Sequence, residues 1–165
     1  MVSRRPQSAT TKVEFGLGEK EWTAIAEGLS HLLADTYTLC LNTQSYHWNV
    51  KGPMFRTLHA MFRTQYKEMA VGIDAIAERI RALGHLAPGY FTDYRQMSAI
   101  AEAKGERLAE EMIADLVKGH EILLRTARSL LPIVEEAADQ TTADLLTHRM
   151  LVHEKTAWLL RPLIQ

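Results

Sequence analysis

A chain of 165 residues can withdraw about two thirds of its unfolded surface from water, so it holds one ordinary core and needs no staple. Nineteen basic residues against twenty acidic ones leave a formal charge of -1, which excludes a surface built throughout for phosphate backbones. No apolar run is long enough for a membrane span, and MVSRRPQSATTK lacks the apolar stretch of a secretory signal, so a soluble cytoplasmic protein with no membrane partner is expected.

Residues 1–16 read as a flexible basic tail, in which Arg4, Arg5 and Lys12 sit among Pro, Ser and Thr with no periodicity. The tail is either a solvated terminus or a local contact for DNA. Residues 17–165 form the domain. From Glu19 to about Tyr46, apolar residues recur in steps of three and four at Trp22, Ile25, Leu29, Leu32 and Leu39, which predicts a first long helix. Cys40 lies beside this stripe and is expected as a buried, reduced thiol. The NVKGP run at Asn49–Pro53 breaks the helix, and a second begins near Phe55, carries Leu58, Met69, Ile73, Ile76 and Ile80, and ends at Gly84.

Between Gly84 and Gly105 the pattern lapses into a long connection, with a short helix expected over Asp93–Ile100. A third long helix is expected from about Glu106, kinked or cut short by Pro132. After a loop at Ala138–Gln140, Thr141 and Asp144 resemble a capping box that opens a fourth helix through Leu146, His153 and Leu160. Short, long and short connections make an all-α four-helix bundle whose crossover, between helices two and three, carries the short helix. Ferritin-like metal proteins and helical cytokines share such crossovers; the lack of signal peptide and disulfides favours the former.

His59, Arg63, Asp74 and Glu78 fall within an arc of about 100° on the second helix, apart from its apolar stripe. Fifteen residues nevertheless separate His59 from Asp74, about 22 Å along the axis, too far for one ion. His47, just across the NVKGP turn, is expected to approach His59 and complete a histidine half-site, while Asp74 and Glu78 at i and i+4 form a carboxylate half-site. A two-fold axis between two second helices would join the half-sites of different subunits and create two equivalent sites per dimer. Imidazole with carboxylate suits iron(II), zinc or manganese, with iron first; the competing reading is that the acids are solvated or paired with Arg79 or Arg81.

The stretches YHWNVKGPMFRTLHAMF, IDAIAERIRALG, GERLAEEM and ADLLTHRMLVHEKTAWLLR resemble the Dps mini-ferritins, bacterial relatives of ferritin, over nearly everything but the tail. The resemblance implies a hollow homododecamer that oxidises iron(II) between two-fold-related subunits, preferably with hydrogen peroxide, stores the ferric product and protects DNA from oxidative stress. It implies that His47 and His59 are ligands from one subunit and Asp74 and Glu78 ligands from its partner, all four serving the ferroxidase reaction. Trp48 matches a family aromatic near the site and is either redox-active or a half-buried packing residue. Asp144 lies where the family places acids of an iron-entry pore, and it doubles as a capping residue.

Arg63 departs from the family pattern. The family carries Asp or Glu there, whereas a guanidinium keeps its charge and cannot ligate. A positive charge within ~4 Å of a divalent ion is repulsive by several kcal/mol at an effective dielectric near ~20, so Arg63 either swings away, lowers occupancy, or pairs with Asp74 or Glu78 across the interface. The alternative function is therefore a shell with an impaired ferroxidase centre, acting structurally, by DNA binding or by holding another metal such as zinc. His153 and His31 are expected as satisfied core or surface histidines, and His120 as a residue with no ligand-spaced companion on its own face.

Overall fold

The computed structural model describes residue 16 and residues 18–164; Arg4, Arg5 and Lys12 lie outside the described residues. Among the described residues, five helices and a closing 3-10 turn follow in chain order: α1 (Glu19–Asn49), α2 (Phe55–Ala82), α3 (Phe91–Met97), α4 (Ala109–Glu136), α5 (Gln140–Leu160) and the turn Arg161–Ile164. No strand occurs among the described residues. The stripe read from the sequence is the stripe that packs: Trp22, Ile25, Leu29, Leu32 and Leu39 of α1 bury against Leu58, Met69, Ile76 and Ile80 of α2 and against Leu116, Leu123 and Leu130 of α4. α1 packs on α2 and α4, α4 on α5, and α2 on α5, while α3 rides on α1 as part of the crossover.

The turn between α1 and α2 needs Gly52, whose φ of 104° would strain a residue with a Cβ. This tight return holds the end of α1 beside the start of α2. At the other end of α2, Arg79 donates from Nε to Thr142 Oγ1 and from Nη2 to both oxygens of Asp139, all at 2.8 Å, tying α2 to the start of α5. Burial alone would push the Asp139 carboxyl up, but hydrogen bonds from Thr142 and Arg79 outweigh it and hold the group below the usual carboxylate range.

Three expectations are corrected. The cap of α5 is Asp139, which accepts from Thr142 N at 3.1 Å, so the helix starts one residue before Thr141, and Asp144 instead accepts from Gln140 Nε2 at 2.8 Å. Of the two outcomes expected at Pro132, early termination does not occur: α4 runs on to Glu136, with Leu130 and Val134 buried on either side of the proline. The third long helix begins at Ala109 rather than Glu106, where Leu108 N donates to Glu111 Oε2 at 2.8 Å and closes the first turn.

The short helix also shifts, ending at Met97 rather than Ile100. Asp35 of α1 is the reason. Its Oδ1 accepts from Ser98 Oγ at 2.9 Å and from Ala99 N at 2.7 Å, and its Oδ2 from Thr126 Oγ1 at 2.6 Å, so the backbone turns toward α1 instead of continuing the helix. Asn42 repeats the device two turns on, donating to Ala101 O and accepting from Ala103 N, both at 2.9 Å. Asp35→Ala removes the buried carboxylate that the Ala99 amide and the Ser98 and Thr126 hydroxyls share, and its expected cost is about 3 kcal/mol, read as a lower urea midpoint. A midpoint unchanged from wild type would mean that the crossover is not clamped there.

Candidate metal centre

α1 ends with carbonyl groups that have no partner further along the helix. His59 of α2 takes one of them: its Nδ1 lies 2.8 Å from His47 O, while His47 Nδ1 lies 2.7 Å from His59 O. A carbonyl oxygen can only accept, so both rings carry their proton on Nδ1. The two imidazoles stack with centroids 3.8 Å apart and planes 28° from parallel. This reciprocal arrangement fixes both orientations and leaves both Nε2 lone pairs available to a cation, which is how a backbone carbonyl readies a histidine ligand. The expected approach of His47 to His59 is therefore present.

Two aromatic residues that the sequence reading passed over complete this half-site. Tyr66 meets the His47 ring edge-on at 5.3 Å, and Phe55 lies against His59 at 5.3 Å. Tyr66 stands seven residues after His59, two helical turns along one face, a spacing that could have marked it. His47 is itself buried and His59 half-buried, with Tyr66 and Phe55 flanking the two rings. Behind them Tyr46 donates from its hydroxyl to Asp115 Oδ2 at 2.7 Å, which fastens the end of α1 to α4; Arg107 also holds Asp115, at 3.0 Å.

Asp74 and Glu78 are exposed on the outer side of α2, and neither has an ion-pair partner among the described residues. Arg79 reaches Asp139 and Arg81 donates to His85 O at 3.0 Å, so the pairing with Glu78 weighed above does not form. Arg63 is exposed on the same side, likewise without an ion pair among the described residues. No group of three or more His, Cys, Asp or Glu residues comes together among the described residues. One chain offers a histidine pair and a separate carboxylate pair.

Trp48 is exposed at 62 %, so the half-buried packing role expected for it does not hold. Its neighbours on this side of the bundle, Met54 and Phe55, are exposed at 47 % and 46 %, and Val71 on α2 at 71 %. Cys40 is only half-buried; its thiol lies 3.5 Å from Tyr66 O, and burial, then Glu68, push its pKa up to about 11, so it stays protonated. No helix among the described residues is long and apolar enough to cross a membrane.

A second polar cluster lies inside the bundle. His153, expected as a satisfied core histidine, is one; its Nε2 accepts from Arg149 Nη2 at 3.1 Å, which places its proton on Nδ1, 2.9 Å from His120 Nδ1. His120 therefore does have a companion, across the bundle rather than on its own helix. Arg149 is held by Glu68 at 2.6 and 3.0 Å and passes Gly72 so closely that a Cβ there would stand 2.5 Å from the guanidinium carbon.

Residues 26–165 match the family described as "Ferritin-like domain". The chain is 37% identical to "DNA protection during starvation protein 2" of Bacillus anthracis, over 83% of this chain and 94% of that one. It is 38% identical to an uncharacterised low temperature-induced protein of Nostoc, over 93% and 87% of the two chains. A solved structure of similar shape is the Dps protein of Vibrio cholerae, described as a member of a broad superfamily of ferritin-like diiron-carboxylate proteins. Its TM-score is 0.89 at 30% identity, covering 96% of this chain and all of that one.

Proposed function

Because this chain belongs to the Dps mini-ferritins of the ferritin-like family, we propose that it stores iron and protects DNA, and that it does so by oxidising iron(II) at a centre shared between two subunits. The observation that carries the reading is the reciprocal histidine lock. His47 and His59 present two Nε2 lone pairs and supply no negative charge, while Asp74 and Glu78, exposed on α2 without ion pairs among the described residues, supply charge but no nitrogen. Each half lacks what the other has.

In the proposed assembly, α2 of one subunit lies antiparallel to α2 of its two-fold partner, and the site is closed by His47 and His59 on one side and the partner's Asp74 and Glu78 on the other. Exposed Val71 and Ala70 between the half-sites give the two helices small and apolar surface on which to meet. Iron(II) is the substrate. Overall, two iron(II) ions give up one electron each, and one hydrogen peroxide with two protons leaves as two waters, so iron(II) and peroxide are removed together before they can react near DNA. The ferric product is stored inside a homododecameric shell in the cytoplasm, entering past Asp144, and the Arg4, Arg5 and Lys12 tails, repeated on the shell, contact DNA through avidity.

The alternative is supported by Arg63, a cation on the face where iron would be collected: a shell whose centre is impaired, acting structurally, on DNA, or by holding zinc or manganese. An anaerobic iron(II) titration followed by peroxide decides between them. Fast oxidation to a soluble ferric product is the expected result, and oxidation no faster than in protein-free buffer would sink the catalytic reading. A large gain on Arg63→Asp from a slow wild type would instead favour the impaired centre.

A further inference from the structure

We propose that Arg63 clamps the partner subunit's Asp74 and thereby limits each interfacial site to a single divalent ion. The inference rests on the two-fold arrangement proposed above and deepens it. Seating His59 midway between the partner's Asp74 and the partner's Glu78 fixes the register of the two antiparallel α2 helices. At that register the partner's Asp74 faces position 61. His59 and Arg63 stand two residues to either side of it, each about 3 Å away along the axis. The partner's Glu78 faces position 57, six residues or about 9 Å from Arg63. Arg63 thus reaches one of the two carboxylates and not the other.

Three observations on one chain support this pairing. Arg63 is exposed, Asp74 is exposed, and neither finds an ion partner within its own subunit among the described residues. Arg63 and Asp74 also differ by only about 20° around the α2 axis, so they leave the helix on the same side. A carboxylate has two oxygens and can accept from a guanidinium on one while binding a cation with the other. Each site then holds two carboxylates against one guanidinium, a net charge of -1 with neutral imidazoles. That balance suits one divalent ion and opposes a second, which would have to settle beside the guanidinium.

The test is an anaerobic calorimetric titration of the intact assembled protein with cobalt(II), followed also by the visible absorption of bound cobalt. Wild type is expected to take up one cobalt per chain. Arg63→Asp, which replaces the guanidinium by a carboxylate, is expected to approach two per chain, and Arg63→Gln, close in size and safe for assembly, to gain a second and weaker equivalent. Two cobalt ions per wild-type chain would overturn the proposal, as would one per chain in both variants. His59→Ala separates it from the reading beneath it: cobalt uptake in that variant equal to wild type would remove the interfacial site altogether, whereas lost uptake alongside unchanged Arg63 variants would leave the site standing and discard the clamp alone.

Discussion

His59→Ala is expected to slow iron(II) oxidation by peroxide on the order of a hundredfold or more, the scale on which ligands and the groups that orient them act at metal centres. The substitution removes one Nε2 donor. It leaves the backbone carbonyl that receives the His47 proton, but it uncovers the last turn of α1, whose His47 carbonyl loses its hydrogen bond, and it removes the ring stacked on His47 at 3.8 Å. Two of the proposed ligands are therefore disturbed by one change. His47→Ala should do nearly the same from the other side, and the double variant should be little worse than either single one, because the two rings act as a unit. Stopped-flow absorbance of the ferric product checks both statements. Multiplying rather than saturating losses would mean that the rings serve separate ions.

Acidification is expected to destabilise the fold at a pH where surface carboxylates are still ionised. Burial first, then the neighbouring Arg149, lowers His120 to about 3, and burial, His120 and Arg149 hold His153 well below its usual value. Both are neutral in the fold, whereas in the unfolded chain they titrate near their ordinary value of about 6.5. Below that pH the unfolded state binds more protons than the folded one, so stability is full above about 6.5 and falls as the pH drops toward the folded values. At about pH 4.5, two units lower, His120 alone accounts for about 2–3 kcal/mol. Asp139 acts in the same direction but lower, since its carboxyl must itself be protonated. Urea midpoints taken between pH 7 and 4.5 should fall steadily, and the slope should flatten in His120→Gln. A flat profile in wild type would mean that the pair is charged in the fold.

The sequence revealed the fold through periodicity, and it did so best where the stripe is widest. α1 and α2 packed as their apolar spacing predicted because each residue of the stripe answers to the same core. Boundaries were less legible, since they depend on contacts made far along the chain: Asp35 lies more than sixty residues from the Ser98 and Ala99 it holds, and no local pattern announces that Asp139 rather than Thr141 caps α5. The same limit explains the histidines. The approach of His47 to His59 is legible because one short turn joins their helices, whereas His120 and His153 meet across two helices thirty-three residues apart, and the periodicity of either helix alone carries no information about the other. Arg63 is visible in the sequence as an anomaly of type, but its exposure and its lack of an ion pair among the described residues, on which the proposed contact with a second subunit rests, are not.

The distance between the two half-sites also bears on timing. On the proposed reading, a chain fresh from synthesis carries its two histidines where the end of α1 meets the start of α2 and its two acids further along α2, and neither set alone forms a complete ferroxidase centre. Reactivity would then switch on at the moment two finished subunits dock, which keeps iron chemistry away from folding intermediates and makes its onset second order in newly made protein. On that reading, a chain diluted to single subunits carries no complete site at which peroxide oxidises iron(II).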